Sequence, residues 1–201
     1  MTLMTQERFD SGLTYEAYKD AMTRNRDRVE ANEQRVALDP DTVRAFKSLP
    51  RPLNVVALAE DWCGDVIANL PVLGRLAAEV GTLNVRVFYR DQNEDLISRW
   101  LNQGKFKSIP VFAFFDEDFH ELGHWIERPA SVTELRAKKR REIFASDPAY
   151  GSPDSPVDAL PEDVRTRLQA DLQKMRDETT TFANAEVQRE LRELVTALPV
   201  R

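Results

Sequence analysis

Leu53-Asn-Val-Val-Ala-Leu-Ala-Glu-Asp-Trp-Cys-Gly-Asp-Val-Ile-Ala-Asn-Leu-Pro-Val-Leu73 is the stretch whose reading decides the fold. From Leu53 to Ala59 it is apolar except for Asn54, the pattern of a strand buried on both faces. Glu60, Asp61 and Trp62 follow, then Cys63, the only cysteine of the chain. After Gly64 the apolar period changes. Val66, Ile67, Leu70, Leu73 and Ala77 share one helical face. Cys63 therefore falls where a strand hands over to a helix, at or beside the helix N-terminus. Unpaired backbone N–H groups and the positive end of the helix dipole favour an anion there, and for cysteine that anion is the thiolate.

Working outward, Gly81 is the natural stop of this helix, and Pro71 inside it removes one hydrogen bond and bends the axis. Asn84 to Tyr89 alternates as a strand does, and Glu94 to Asn102 reads as a helix ended by Gln103-Gly104. Ser108-Ile109-Pro110-Val111 leads into the apolar run Phe112 to Phe115. Asp116 to His120 has hairpin composition, and Glu121 to Ile126 makes the return strand. Upstream, Thr14 to Leu38 reads as one helix, and Thr42 to Ser48 as a short one opened by Pro40 or Asp41. Downstream, Ser131 with Glu134 forms a capping box for a helix to Phe144. Ala145 to Pro161 holds four of the eleven prolines and reads as a linker. Beyond Glu162, Val164, Leu168, Leu172, Met175, Thr179 and Phe182 form an apolar stripe, with a second phase at Val187, Leu191, Leu194 and Leu198. Such a stripe is covered either by its own chain or by a second copy in a homodimer.

At these residues the chain resembles the thioredoxin superfamily. Trp62-Cys63-Gly64 follows a buried strand, Pro71 stands where thioredoxins carry a kinking proline, and Ser108-Ile109-Pro110-Val111 is similar to their cis-proline loop. Ala59-Glu-Asp-Trp-Cys-Gly-Asp65 is similar to a bacterial thioredoxin-like subfamily that often carries Cys-Gly-Asp-Cys. The resemblance covers Thr42 to Phe144. It implies an α/β thioredoxin fold, a central mixed sheet with flanking helices, here with N- and C-terminal helical extensions. The expected organisation is 1–40 as N-terminal helical extension, 41–145 as core, 146–161 as linker and 162–201 as C-terminal extension.

The resemblance also implies roles. Cys63 is the catalytic candidate, and Trp62, Gly64, Asp65, Val66, Ile109 and Pro110 form the substrate-binding candidates. The backbone beside Pro110 would pair with an extended peptide or a glutathione-like thiol. Two departures bear on the chemistry. The resolving position is Val66, and Ala57 replaces the buried acid that many thioredoxins use in proton transfer. With one sulfur, no intramolecular disulfide forms. What remains is monothiol exchange resolved by an external thiol, or a redox-inactive binding module that holds a peptide or protein beside Ile109-Pro110. Glu60, Asp61 and Asp65 oppose a thiolate at Cys63, and Lys105 or Lys107 would offset them.

Composition narrows the rest. The 201 residues are 42% hydrophobic and 31% charged, which describes a globular domain with extensions. No apolar run reaches the roughly 18 residues of a membrane helix, and no signal-peptide pattern is visible at the N-terminus. A lone cysteine fits a reducing cytoplasm. The net charge of -6 disfavours nucleic acid as a partner, and the basic run Arg136 to Arg141 reads as a solvated helix face. His120 and His124 flank a turn and lack a third ligand, so neither metal nor cofactor is expected. The expected partners are a disulfide-containing protein or a low-molecular-weight thiol. Gly-rich phosphate loops and dinucleotide fingerprints are missing from the sequence.

Overall fold

The computed structural model describes residues 3–154 and 156–198. The chain divides into two compact units, one comprising residues up to Arg128 together with those from Val187 onward, the other Pro129–Glu186. In the first unit, α1 (Gln6–Asp10), α2 (Tyr15–Ala21), α3 (Arg26–Arg35) and α4 (Pro40–Lys47) precede β1 (Leu53–Ala59). Then come α5 (Gly64–Val80), β2 (Leu83–Tyr89), α6 (Glu94–Ile97), β3 (Val111–Phe115) and β4 (Glu121–Ile126). The sheet order is β2-β1-β3-β4. β1 runs parallel to β2 and antiparallel to β3, which pairs antiparallel with β4. This mixed sheet with flanking helices is a thioredoxin fold carrying helical extensions.

β1 is buried along its length except at Asn54. The asparagine is accommodated because it sits near the strand's start, where its side-chain amide donates to the carbonyl of Asp116 (3.2 Å) and its oxygen accepts from Asn84 on β2 (3.2 Å). α5 connects the parallel pair and ends at Gly81, whose φ of 68° suits a glycine at a helix C-terminus. Pro71 sits inside α5 and cannot donate to the carbonyl of Ile67, four residues back. α3 supplies the missing donor: the Asn32 amide reaches the Ile67 oxygen at 2.9 Å. α2 approaches α5 so closely that a Cβ on Gly74 would lie 2.4 Å from the Tyr15 ring.

The segment expected as one helix over Thr14 to Leu38 is two. It breaks at Met22 to Asn25 because the Asp61 carboxylate captures the N–H groups of Thr23 (2.9 Å) and Arg24 (3.1 Å) and the Thr23 hydroxyl (3.0 Å). Asn25 takes a left-handed φ of 57° and donates to the Asp61 carbonyl (2.9 Å). α6 is also shorter than its pattern suggests. After Ile97 the chain tightens into i→i+3 bonds, Arg99 to Leu96 (3.0 Å) and Trp100 to Ile97 (3.2 Å). The buried Trp100 indole then donates to Glu121 (2.9 Å).

In the second unit, α7 (Ala130–Ser146) and α8 (Glu162–Glu178) enclose a small core of Phe144, Tyr150, Val164 and Leu168. Ser131 is not the cap of α7, which starts one residue earlier after Pro129. Its hydroxyl instead donates to Glu186 (2.6 Å), and Ser131 lies inside the first turn of the helix rather than at its cap. The final helix, α9 (Thr180–Thr196), begins in this unit and ends in the first. There Val187, Leu191 and Val195 are buried in the main core, with Leu194 and Leu198 packed against it.

Asn32→Ala would leave the Ile67 carbonyl without its donor in a partly buried site. A loss of about 1–3 kcal/mol is expected, read as a lower urea midpoint at unchanged slope.

Candidate thiol site

The site begins with the strand. β1 delivers the chain into the turn Glu60-Asp61-Trp62, and Cys63 is the N-cap of α5, with extended backbone (φ -83°, ψ 121°). The Cys63 N–H donates to the Glu60 carbonyl (3.2 Å), and its carbonyl accepts from Ile67 (3.0 Å). A Ser, Thr or Asp here would cap the helix through its side chain. Cys63 makes no such cap bond. Its half-buried Sγ instead lies 3.6 Å from the Ile109 carbonyl oxygen, to which the thiol donates.

Ile109 precedes Pro110 through a cis peptide bond, and both residues are buried. The loop is held from the far side: the Glu127 N–H donates to the Pro110 carbonyl (2.7 Å), and Asn102 donates to the Glu127 carboxylate (2.7 Å). Asn69 of α5 donates to the Glu127 carbonyl (2.7 Å), so helix and loop share one anchor. Val66, at the resolving position, is fully buried and forms part of the apolar core beneath the sulfur. Gly64 and Asp65 occupy the first turn of α5, and Arg128 holds the Asp65 carboxylate at 2.6 Å. The candidates Trp62, Cys63, Gly64, Asp65, Val66, Ile109 and Pro110 thus gather around one point.

Electrostatics at the sulfur are a contest. Burial is the largest influence and pushes the Cys63 thiol up from its ordinary pKa, with Asp65 adding to that. The backbone N–H groups of Val66 and Asp65 pull it down, as does Arg90. Burial prevails, and the net shift is upward. The helix N-terminus is present but outweighed.

Arg90 and Tyr18 escaped the sequence reading as site residues, whereas Glu60 stood there as a charge opposing the thiolate. Arg90, just after β2, lays its guanidinium 4.9 Å from the centre of the half-exposed Trp62 ring and donates to the Lys107 carbonyl (3.2 Å). It supplies the positive charge expected from Lys105 or Lys107; Lys107 is paired with Glu94 instead. Glu60 is buried, and burial raises its pKa although the Asp91 N–H bonds to it (2.9 Å). Tyr18 of α2 is fully buried with its ring 5.6 Å from Tyr89, and among the described residues its hydroxyl has no hydrogen-bond partner. Burial raises its pKa, with Tyr89, Asp61, Glu60 and Cys63 contributing in turn. Arg90 was visible as a residue type, but nothing in its spacing aimed it at Cys63. Among the described residues, no group of three His, Cys, Asp or Glu side chains could hold a metal ion.

A central strand ending on a helix N-cap, with a cis-proline loop folded back onto that cap, places this chain among thioredoxin-fold proteins. A thioredoxin family profile matches residues 12–140, and the chain belongs to that family. Two crystal structures superpose over nearly all of it: a protein of unknown function from Pseudomonas aeruginosa (TM-score 0.65) and an HIV epitope-scaffold (TM-score 0.64). Each is 17% identical, with 96% of this chain and 98% of the other covered. At that identity the likeness is one of fold. No curated protein matches.

Alkylation of Cys63 by iodoacetamide should be slow at neutral pH, with a midpoint above the free-thiol value of about 8.5. Arg90→Ala, by removing the nearest positive charge, should move that midpoint further up. Both are read from the rate against pH on folded protein.

Proposed function

We propose that this chain is a cytoplasmic thioredoxin-like protein with a single working thiol. It would be of the bacterial subfamily whose motif begins Cys-Gly-Asp, here without the second cysteine. The observation that carries the reading is the Cys63 Sγ at the N-cap of α5, 3.6 Å from the carbonyl of the residue before the cis proline. A sulfur held there is positioned beside backbone that an extended substrate could pair with.

The exchange is balanced without a change in the protein's own oxidation state. Cys63 as thiolate attacks one sulfur of a substrate disulfide, forming a mixed disulfide while the other substrate sulfur leaves as a thiolate and takes up a proton. With Val66 at the resolving position, a low-molecular-weight thiol must then attack the mixed disulfide. That second attack returns Cys63 as thiolate and leaves the external thiol joined to the substrate sulfur. The proton that Cys63 gives up at the start is the difficult one, because its thiol pKa is raised. Binding of a substrate that brings a positive charge near the sulfur would ease it.

A second reading is favoured by that same upward shift. A thiol kept protonated by burial suits a redox-inactive module in which the groove beside Ile109-Pro110 holds a peptide or protein and Cys63 only packs. Cys63→Ala separates the two: a binding module keeps its partner, whereas an exchange enzyme loses its turnover.

With hydroxyethyl disulfide as substrate, glutathione and glutathione reductase should support turnover that Cys63→Ser abolishes, with the mixed disulfide between Cys63 and the hydroxyethyl thiol seen by mass spectrometry. Rapid turnover with thioredoxin and its reductase as the sole electron source would contradict the external-thiol mechanism.

A further inference from the structure

A cavity of about 470 Å³ opens at the other end of the sheet from Cys63. Leu53, the first residue of β1, lines it, whereas Cys63 follows the last residue of that strand. A strand of this length separates the two places by roughly 20 Å. The walls are apolar and come from four places in the chain: Leu49 and Pro50 after α4, Leu53 of β1, Leu122 of β4, and Val195 and Leu198 at the end of α9. Leu53 and Val195 belong to the buried core, so the walls are part of a packed framework and the space is preformed. The volume falls in the range typical of small-molecule pockets, about 300–1,000 Å³.

The mouth has a sign. Asp116, Glu117 and Asp118 of the β3–β4 turn are among the residues that line the cavity. Asp116 is fixed in place: its carboxylate accepts from the backbone N–H groups of Asp118 (3.0 Å) and His120 (2.8 Å) and meets the His120 ring at 3.0 Å. Burial would raise the Asp116 pKa, but these bonds hold it below the usual carboxylate range. Arg51, paired with Glu117, is the only lysine or arginine among the lining residues. Among the lining residues three carboxylates face one guanidinium and the His120 ring, and a cationic group at the opening is favoured over an anionic one.

We propose that this cavity is a second binding site, separate from the thiol, for a small amphipathic amine whose apolar body fills the space between Leu53, Leu122 and Val195 while its ammonium group lies at the Asp116–Asp118 turn. The lining residues hold no cysteine, so the site is chemically distinct from the thiol site.

The test uses the full chain and two probes with one body, 4-phenylbutylamine and 4-phenylbutyrate, followed by calorimetry and by methyl NMR of the lining leucines and valines. The amine should bind saturably and shift the Leu53, Leu122 and Val195 signals, and the acid should bind at least about ten-fold more weakly. Leu122→Trp, which fills the space, should abolish binding. Asp118→Lys, on the exposed rim where folding is not at stake, should narrow the preference for the amine. Cys63→Ala should leave all of this unchanged, so the result stands apart from the thiol chemistry. Equal binding of both probes, binding that survives Leu122→Trp in folded protein, or shifts confined to other residues would overturn the proposal.

Discussion

β1 is covered on both faces, and from that constraint much of the molecule follows. A strand whose side chains all point into packed core has no face left on which to present chemistry, so whatever it positions must lie at its ends. At its C-terminal end it releases the chain into a tight turn that sets Cys63 as the cap of α5. At its N-terminal end the only polar side chain, Asn54, is answered by the carbonyl of Asp116 and by Asn84. Each residue of β1 buried as fully as Val55 or Leu58 contributes about 1.5–3 kcal/mol, which explains why this segment tolerates a single polar interruption and why that interruption sits near an end.

The same burial works against the sulfur. A helix N-terminus is a favourable place for a thiolate, yet the apolar bed formed by Val66 and its neighbours keeps water from stabilising the charge. The two influences act on one atom, and the upward shift of Cys63 records which is stronger. Arg90 reduces the imbalance without reversing it. Its guanidinium is spread among the Trp62 ring, the Asp91 carboxylate and the Lys107 carbonyl, and so is only partly directed at the thiol.

How far the sequence could be read depended on whether a feature was local. The buried run of β1, the change of period after Gly64, the glycine stop at Gly81 and the hairpin composition between Phe115 and Glu121 are all short-range signals, and each element stands where its pattern put it. So does the clustering of Trp62, Cys63 and Ile109, which the family resemblance supplied. What sequence could not reveal were long-range captures. The break near Thr23 is made by a carboxylate 38 residues away, and the Ser131 hydroxyl is drawn off by Glu186. Arg90 arrives at Trp62 only because β2 runs parallel to β1, so that its end lies beside theirs. The sign of the thiol's shift was illegible for a related reason. It turns on how much water the fold excludes, and residue types alone do not state that.

Asp61 shows what the first twenty-five residues are for. Its carboxylate stands two positions before Cys63, where an unattended negative charge would oppose ionisation of the thiol. Instead one oxygen accepts from Thr23 twice and from Arg24 once, and Asn25 holds the carbonyl of the same residue. The N-terminal segment therefore acts as a brace that fixes the Asp61 carboxylate, in hydrogen bonds from its own amides, beside the turn that leads to Cys63. A shortened chain that kept every strand of the sheet would still expose this carboxylate, and its cysteine would inhabit a different field. The boundary of the functional unit lies well upstream of the sheet it serves.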